Sequence, residues 1–256
     1  MSKITTVFMD LDGSTLAEKN VLPTELRALI QQHPQINWII TTGRSYPNFI
    51  RAPFKGLLPD DSLHIIEGGA RIVQLDGTLL NEFGIQTTEL QHLFSIINLS
   101  AIDYMYFCSP LLHGNAWYRH NDVIDKFNLP ASNYTFNFEE FKAMAYDLNP
   151  GKVSLYRNQE FELAGLNYHS TGNNIDITTA QINKGSGCNL LLERLSIDAN
   201  NALFIFNDFN DLPLINAVPH IKKLKVGTLM PEISADYYAA TPNDVAAVLR
   251  QILAAL

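Results

Sequence analysis

Cysteine is scarce: Cys108 and Cys188 lie far apart and make no C-x-x-C pair. That excludes a disulfide framework or a paired-cysteine zinc site, and it suits two reduced thiols packed as small hydrophobes. No segment approaches the ~20 consecutive apolar residues that a membrane-spanning helix requires. Positive charge is also short, 18 Lys and Arg against 26 Asp and Glu, and the net charge of -8 argues against a general nucleic-acid or anionic-membrane surface. Met1-Ser2-Lys3-Ile4 leads directly into an apolar strand without a charged leader and cleavage site, so a cytoplasmic protein is expected. No internal repeat or low-complexity tract appears, and no G-x-G-x-x-G follows the first strand, which removes the basis for a dinucleotide site. No Ser-His-Asp arrangement emerges from the residue order, and His113 and His120 are not spaced as a metal pair. An acidic chain of this kind that handles an anion must make its positive potential locally, from a metal and a few Lys or Arg residues.

What is present is an ordinary globular composition, 46% apolar and 17% charged over 256 residues, enough for a large core in one or two domains. The most informative stretch is Val7-Phe8-Met9-Asp10-Leu11-Asp12-Gly13-Ser14-Thr15. An apolar strand ends there in two carboxylates and a glycine turn. If the strand stops before Asp10, both carboxylates overhang its carboxyl edge, where open α/β sheets bind ligands. A turn that merely closes a strand is the plainer alternative.

The periodicity predicts strands over 4–9, 37–41 and 63–66, with a helix over 23–33 between the first two, a β-α-β unit with parallel neighbouring strands. A hairpin is expected around Asp76-Gly77. From about residue 84 aromatic-rich strands are expected at 103–107, 116–120, 153–156 and 175–178, with helices over 87–97, 138–146 and 160–167. The parallel pattern returns with a helix over 184–195, a strand over 202–206, a short helix over 211–217, a strand over 224–227 and a closing helix over 243–256. The fold class expected is α/β, a Rossmann-like parallel-sheet core at 1–83 and 180–256 interrupted by an inserted α+β cap domain at 84–179.

Four polar clusters fall at or beside the carboxyl ends of the core elements: Asp10/Asp12, Thr42/Arg44, Lys184 and Asn207/Asp208/Asp211. With this order the chain resembles the haloacid dehalogenase superfamily, whose phosphatases carry D-x-D-G-T, a hydroxyl residue after the second strand, a Lys and a final G-D-x-x-N-D. The likeness is nearest to the Cof-like, sugar-phosphate phosphatase branch with a large α/β cap. It extends over most of the core, including Thr42-Gly43-Arg44, Gly68-Gly69-Ala70, Asn183-Lys184-Gly185 and Asn210-Asp211-Leu212-Pro213. In the cap only length and element order match.

The resemblance implies a Mg²⁺-dependent phosphoric monoester hydrolase. A carboxylate that attacks a phosphate dianion needs a cation to neutralise the approach. Asp10 is implied as nucleophile, forming an aspartyl-phosphate, and Asp12 as general acid and then base, a role served by a neighbouring carboxylate and partial burial. Thr42 and Lys184 are implied as stabilisers of the transferring phosphoryl group, and Gly43, Arg44 and Asn210 complete the set expected to bind substrate. Arg44 either binds phosphate or pairs with an acidic neighbour. The implied metal set is Asp10, Asp12 through its main-chain carbonyl, Asn207 and Asp211, the last acting through a water or anchoring Lys184.

The final cluster departs from the family pattern. Aligned without a gap, Phe206 replaces the glycine and Asn207 replaces the metal-binding carboxylate; a shift of one residue would bring in Asp208 instead. An amide oxygen brings no charge, so Mg²⁺ affinity should fall. In the cap, Trp117, Tyr118, Arg119, His120, Lys152 and Tyr156 could stack on and hydrogen-bond a sugar, or serve as packing and surface groups. The expected partner is a small phosphorylated metabolite, foremost a sugar phosphate, with neither nucleic acid nor membrane and with the chain a monomer or weak homodimer. Two other functions remain open: a phosphohexomutase using the same intermediate, and a phosphatase-like ligand-binding protein impaired through Asn207.

Overall fold

A computed structural model of the chain describes residues 3–109, 115–119 and 137–254. The fold is α/β, a parallel sheet with additional antiparallel sheets. It divides into two compact units, one formed by 1–44, 48–81 and 183–256 and the other by 45–47 and 82–182.

In chain order, the first unit begins with β1 (Thr6–Met9), α1 (Thr24–Gln32) and β2 (Asn37–Ile40). A four-residue helix α2 (Tyr46–Phe49) follows, then β3 (Leu63–Ile66), β4 (Arg71–Gln74) and β5 (Leu79–Glu82). The second unit contributes α3 (Thr87–Ile96), β6 (Ile102–Cys108), β7 (Asn115–Arg119), α4 (Phe138–Leu148), β8 (Lys152–Arg157), β9 (Asn167–Thr171) and β10 (Asn174–Thr178). The first unit resumes with α5 (Lys184–Arg194), β11 (Ala202–Phe206), α6 (Leu212–Ala217), β12 (Lys222–Val226), β13 (Tyr237–Ala239) and α7 (Val245–Ala254).

The main sheet of the first unit runs β13-β12-β11-β1-β2 with every pairing parallel. Its central strands are apolar because both faces are covered. Val7, Phe8 and Met9 of β1 and all of β11 are buried. The helix α1 forms as the spacing of Leu26, Leu29 and Ile30 predicts, burying those three side chains. Beyond β2 the strand β3 makes one parallel bridge, Thr41 to Ile65, and then turns into an antiparallel sheet ordered β3-β4-β5. The Asp76-Gly77 hairpin joins β4 to β5, with Gly77 at φ 99°.

The second unit is a five-stranded sheet ordered β7-β6-β8-β10-β9, with α3 and α4 packed on one face. Two expectations fail here and at the C-terminal end. No helix forms over 160–167; those residues run as an irregular segment in which Phe161, Leu163 and Leu166 reach the core without helical backbone. Eight residues give a helix little to offset the cost of nucleation, and Gly165 adopts φ 78°. The strands β9, paired through a Gly172-Asn173 turn to β10, and β13, on the edge of the main sheet, are additional to those expected. Part of the expected strand over 116–120 is β7; His120 and His113 lie outside the described residues.

Candidate active site

β1 stops at Met9, so Asp10 and Asp12 do overhang the carboxyl edge of the sheet. Asp10 is fixed by its backbone: its N–H donates to the Ile205 carbonyl at 3.0 Å, and the Thr15 hydroxyl donates to its carbonyl at 2.6 Å. Gly13 adopts φ 79°, and a Cβ placed on it would stand 2.3 Å from Asn207 Nδ2, so this turn and the loop after β11 lie in close contact. The Ser14 hydroxyl donates to Asn207 Oδ1 at 3.0 Å across the same contact.

Lys184 reaches the site from the first position of α5. Asn183 caps that helix, accepting from the N–H groups of Gly185 and Ser186, and the turn is completed by Ser186 Oγ accepting from Asn183 N. The approach is tight: Gly69, at φ 106°, has no room for a side chain because a Cβ would lie 2.0 Å from the Asn183 carbonyl oxygen. The Lys184 ammonium donates to Asp10 Oδ1 at 2.7 Å and to Asp211 Oδ1 at 2.6 Å, with Asn210 Oδ1 at 3.4 Å. All three charged groups are buried, Asp10 at 4%, Lys184 at 2% and Asp211 at 0% exposure.

Two carboxylates therefore share one ammonium. Burial pushes the Asp10 carboxyl up to about 7, the Asp211 charge adds to the rise, and Lys184 opposes it. Burial works against the Lys184 charge, yet Asp10 and Asp211 outweigh it and hold the ammonium well above its ordinary range. With both carboxylates ionised the cluster carries one more negative charge than positive, which a bound cation would neutralise.

Asp211 is not placed as a direct metal ligand. Its Oδ1 is taken by Lys184, and its Oδ2 accepts from the Asn207 and Asp208 N–H groups at 3.2 and 3.3 Å. Of the two roles open to it, anchoring Lys184 is the one its contacts serve. Asn207, rather than Asp208, faces the Asp10–Ser14 turn; the Asp208 side chain turns away to accept from Phe209 N–H. Thr42 is buried behind β2, its N–H bonded to the Ile65 carbonyl at 2.9 Å and its hydroxyl accepting from Arg44 N–H at 3.2 Å. Gly43 occupies the turn between them.

Asp12 lies in a more open setting than Asp10. Its side chain is 65% exposed, and its partner is a cation: Arg44 donates to both carboxylate oxygens, Nε at 2.8 Å and Nη2 at 2.5 Å. A third Arg44 donor goes to Asn20 Oδ1 at 2.8 Å. The fork of Arg44 is engaged by Asp12 and Asn20, the pairing with an acidic neighbour that was one of the two roles expected for it.

Among the described residues no group of three His, Cys, Asp or Glu side chains could hold a metal ion. The loops after β1 and β11 do bring the Asn207 amide against the Asp10–Ser14 turn, and carboxylate and amide oxygens are hard donors of the kind Mg²⁺ takes together with water and substrate oxygens.

In the second unit, Trp117 stacks on Tyr106 at 4.4 Å and Tyr156 on Tyr104 at 5.4 Å. Tyr118 points instead toward the core, against Phe138 and Phe141. Lys152 donates to Asp176 at 2.8 Å, with Ser154 on the other Asp176 oxygen at 2.6 Å. His113, His120 and the Arg119 side chain lie outside what is described. Sequence reasoning missed Ser14, Asn20 and Thr15 as supports of the site. Of these, Thr15 had a readable signal, a hydroxyl within the acidic turn, whereas the partners of Ser14 and Asn20 are 193 and 24 residues away. The groove of about 570 Å³ lined by Ile36, Trp38, Leu57 and Leu63 opens at the amino ends of β2 and β3, away from Asp10.

The family described as haloacid dehalogenase-like hydrolase matches residues 7–251. No curated protein matches the chain. Among solved structures the chain is similar to a phosphatase of the haloalkanoate enzyme superfamily from Bacteroides thetaiotaomicron, at 17% identity over 98% of this chain and 95% of that one, with a TM-score of 0.75. It is similar also to a subclass IIB sugar phosphatase, at 16% identity over 96% of this chain and 98% of that one, TM-score 0.76. A haloacid dehalogenase-like hydrolase from B. subtilis gives 18% identity over 96% and 98%, TM-score 0.74. At these identities the likeness is one of fold.

Proposed function

The chain belongs to the haloacid dehalogenase-like hydrolase family, and we propose that it is a Mg²⁺-dependent phosphatase of small phosphorylated metabolites, foremost sugar phosphates, working through an aspartyl-phosphate on Asp10. The observation that carries this reading is the buried Lys184 ammonium held between Asp10 and Asp211 at the carboxyl edge of a parallel sheet. A structural ion pair alone would not call for two carboxylates on one cation beside a set of oxygen donors.

The Asp10 carboxylate attacks phosphorus, and the P–O ester bond breaks. Asp12 gives a proton to the leaving alkoxide, then takes one from the water that cleaves the aspartyl-phosphate, releasing inorganic phosphate and restoring both carboxyls. The Thr42 hydroxyl and the Lys184 ammonium stabilise charge on the equatorial oxygens, while Arg44 holds Asp12 in place from outside. Asp10, Asn207 and the Asp12 carbonyl would hold Mg²⁺, which supplies charge neutralisation between nucleophile and substrate.

The first unit is the catalytic domain and the second the cap that selects substrates. The partly exposed Tyr106 and Tyr156, backed by the buried Trp117 and Tyr104 on which they stack, and the Asp176 carboxylate, held by Lys152 and Ser154, are of the kinds that a sugar recognises. The test is a panel of phosphate esters assayed for released phosphate with and without Mg²⁺. Asp10→Asn should abolish release, a loss of at least about 10³-fold; undiminished activity in that variant would sink the mechanism. Asn207 favours a second reading, ligand binding without turnover, which predicts phosphate binding but no release.

A further inference from the structure

We infer that the site holds its divalent cation firmly only together with a phosphoryl group, because Asn207 withholds the charge that would otherwise bind the cation alone. The inference rests on the phosphatase reading and adds to it a coupling between the two ligands.

The argument is a charge count. Around the Asp10 position there are two buried carboxylates, Asp10 and Asp211, and one buried ammonium, Lys184. One of the Asp10 oxygens and both Asp211 oxygens are already engaged. The nearby Asp12 carboxylate is held by the two-pronged Arg44 contact and largely exposed, and of the charges acting on Asp10 its influence is the smallest. What remains for a cation is a single Asp10 oxygen plus neutral donors. The principal neutral donor is compromised as well, since the Asn207 amide oxygen already accepts the Ser14 hydroxyl proton at 3.0 Å.

Mg²⁺ gives up its hydration water reluctantly and is usually held by one or two carboxylates with substrate phosphate oxygens. With one carboxylate shared with Lys184, the phosphoryl dianion has to supply the missing negative charge. The dependence is reciprocal: the net-negative cluster repels a phosphate that arrives without a cation, so each ligand must strengthen the other by the same factor.

Isothermal titration of the intact protein with MgCl₂, with and without saturating inorganic phosphate, tests this without any need for turnover. Magnesium should bind at least tenfold more tightly when phosphate is present, and phosphate should gain the same factor from Mg²⁺. Asn207→Asp should raise Mg²⁺ affinity in the absence of phosphate by at least tenfold and shrink the coupling. Equal Mg²⁺ affinity with and without phosphate in the wild-type protein overturns the inference and leaves the phosphatase reading standing, as does an Asn207→Asp variant with unchanged coupling. Absence of Mg²⁺ binding under both conditions overturns the Mg²⁺-dependent reading itself.

Discussion

At the scale of single residues, the informative contact is the one between Arg44 and Asp12. A planar guanidinium that donates to both oxygens of one carboxylate and to Asn20 fixes the direction of Asp12 in a way that a flexible lysine cannot. On the proposed mechanism Arg44 acts on a proton-transfer group and not on the phosphate. Arg44→Met is therefore expected to lower kcat by about tenfold or more, consistent with the contribution of a well-placed general acid. Inhibition by inorganic phosphate should stay within about twofold of wild type, since no phosphate ligand is lost. Steady-state kinetics with phosphate as competitive inhibitor distinguishes the two; a tenfold weaker phosphate constant would return Arg44 to the binding set. The candidate residues themselves were legible because Asp10, Thr42, Lys184 and Asp211 each stand at an element end that hydrophobic periodicity announces. Their partners were not. The pairing of Arg44 with Asp12, and of Ser14 with Asn207, depends on how two loops meet, and no local pattern encodes that.

At the scale of elements, the seam between β2 and β3 shows how the sheet holds Thr42. Ordinary pairing is limited there to the Thr41–Ile65 bridge, and the Ile40 N–H donates instead to His64 Nδ1 at 3.1 Å. His64 is wholly buried, against Phe49 and near the Ser62 hydroxyl, and burial pushes its imidazolium down to about 3. Its ring is neutral in the folded protein, and Nδ1 must stay unprotonated to accept from Ile40. The unfolded chain takes up the proton below the ordinary histidine value of 6.5. The contribution of His64 is thus complete above pH 6.5 and is lost as pH falls from there toward 3, at roughly 1.4 kcal/mol per pH unit. Urea unfolding at pH 7 and pH 5 should show wild type losing about 2 kcal/mol more than His64→Asn, which keeps an acceptor for Ile40 but has no proton to gain. Equal losses would mean the ring is not held neutral. A histidine that stands in for a ladder carbonyl could not be read from Leu63-His64-Ile65-Ile66, which looks like any apolar strand. The segment over 160–167 misled for the opposite reason: apolar residues at helical spacing also serve a loop that drops Phe161 and Leu163 into a core, and only the Gly165 turn tells the two apart.

At the scale of the whole molecule, the alternation of helix and strand made the parallel core readable, and the aromatic-rich strands between made the antiparallel unit readable. The edge strand β13 escaped because a three-residue strand carries too little pattern to register. The two units have separate hydrophobic cores, one built around Phe8, Phe204, Phe206 and Cys188, the other around Phe107, Phe141, Val153 and Ile177. Separate cores are separate sources of cooperativity, so the chain should not melt as one two-state domain. Calorimetry should give a measured enthalpy larger than the van 't Hoff value of its main transition. A substitution confined to one core should then move only that part of the profile. Phe141 is fully buried and packs edge-on against Phe107 at 5.1 Å and Phe94 at 6.2 Å, so Phe141→Ala removes a keystone of the second core. The cost of such a truncation is about 3–5 kcal/mol. For a unit of this size that lowers its transition by on the order of 10 °C or more. The first unit is expected to retain its own transition, and with it the Lys184–Asp10 cluster, which is assembled wholly from residues of that unit. A single transition that falls intact in Phe141→Ala would show instead that the two cores unfold as one.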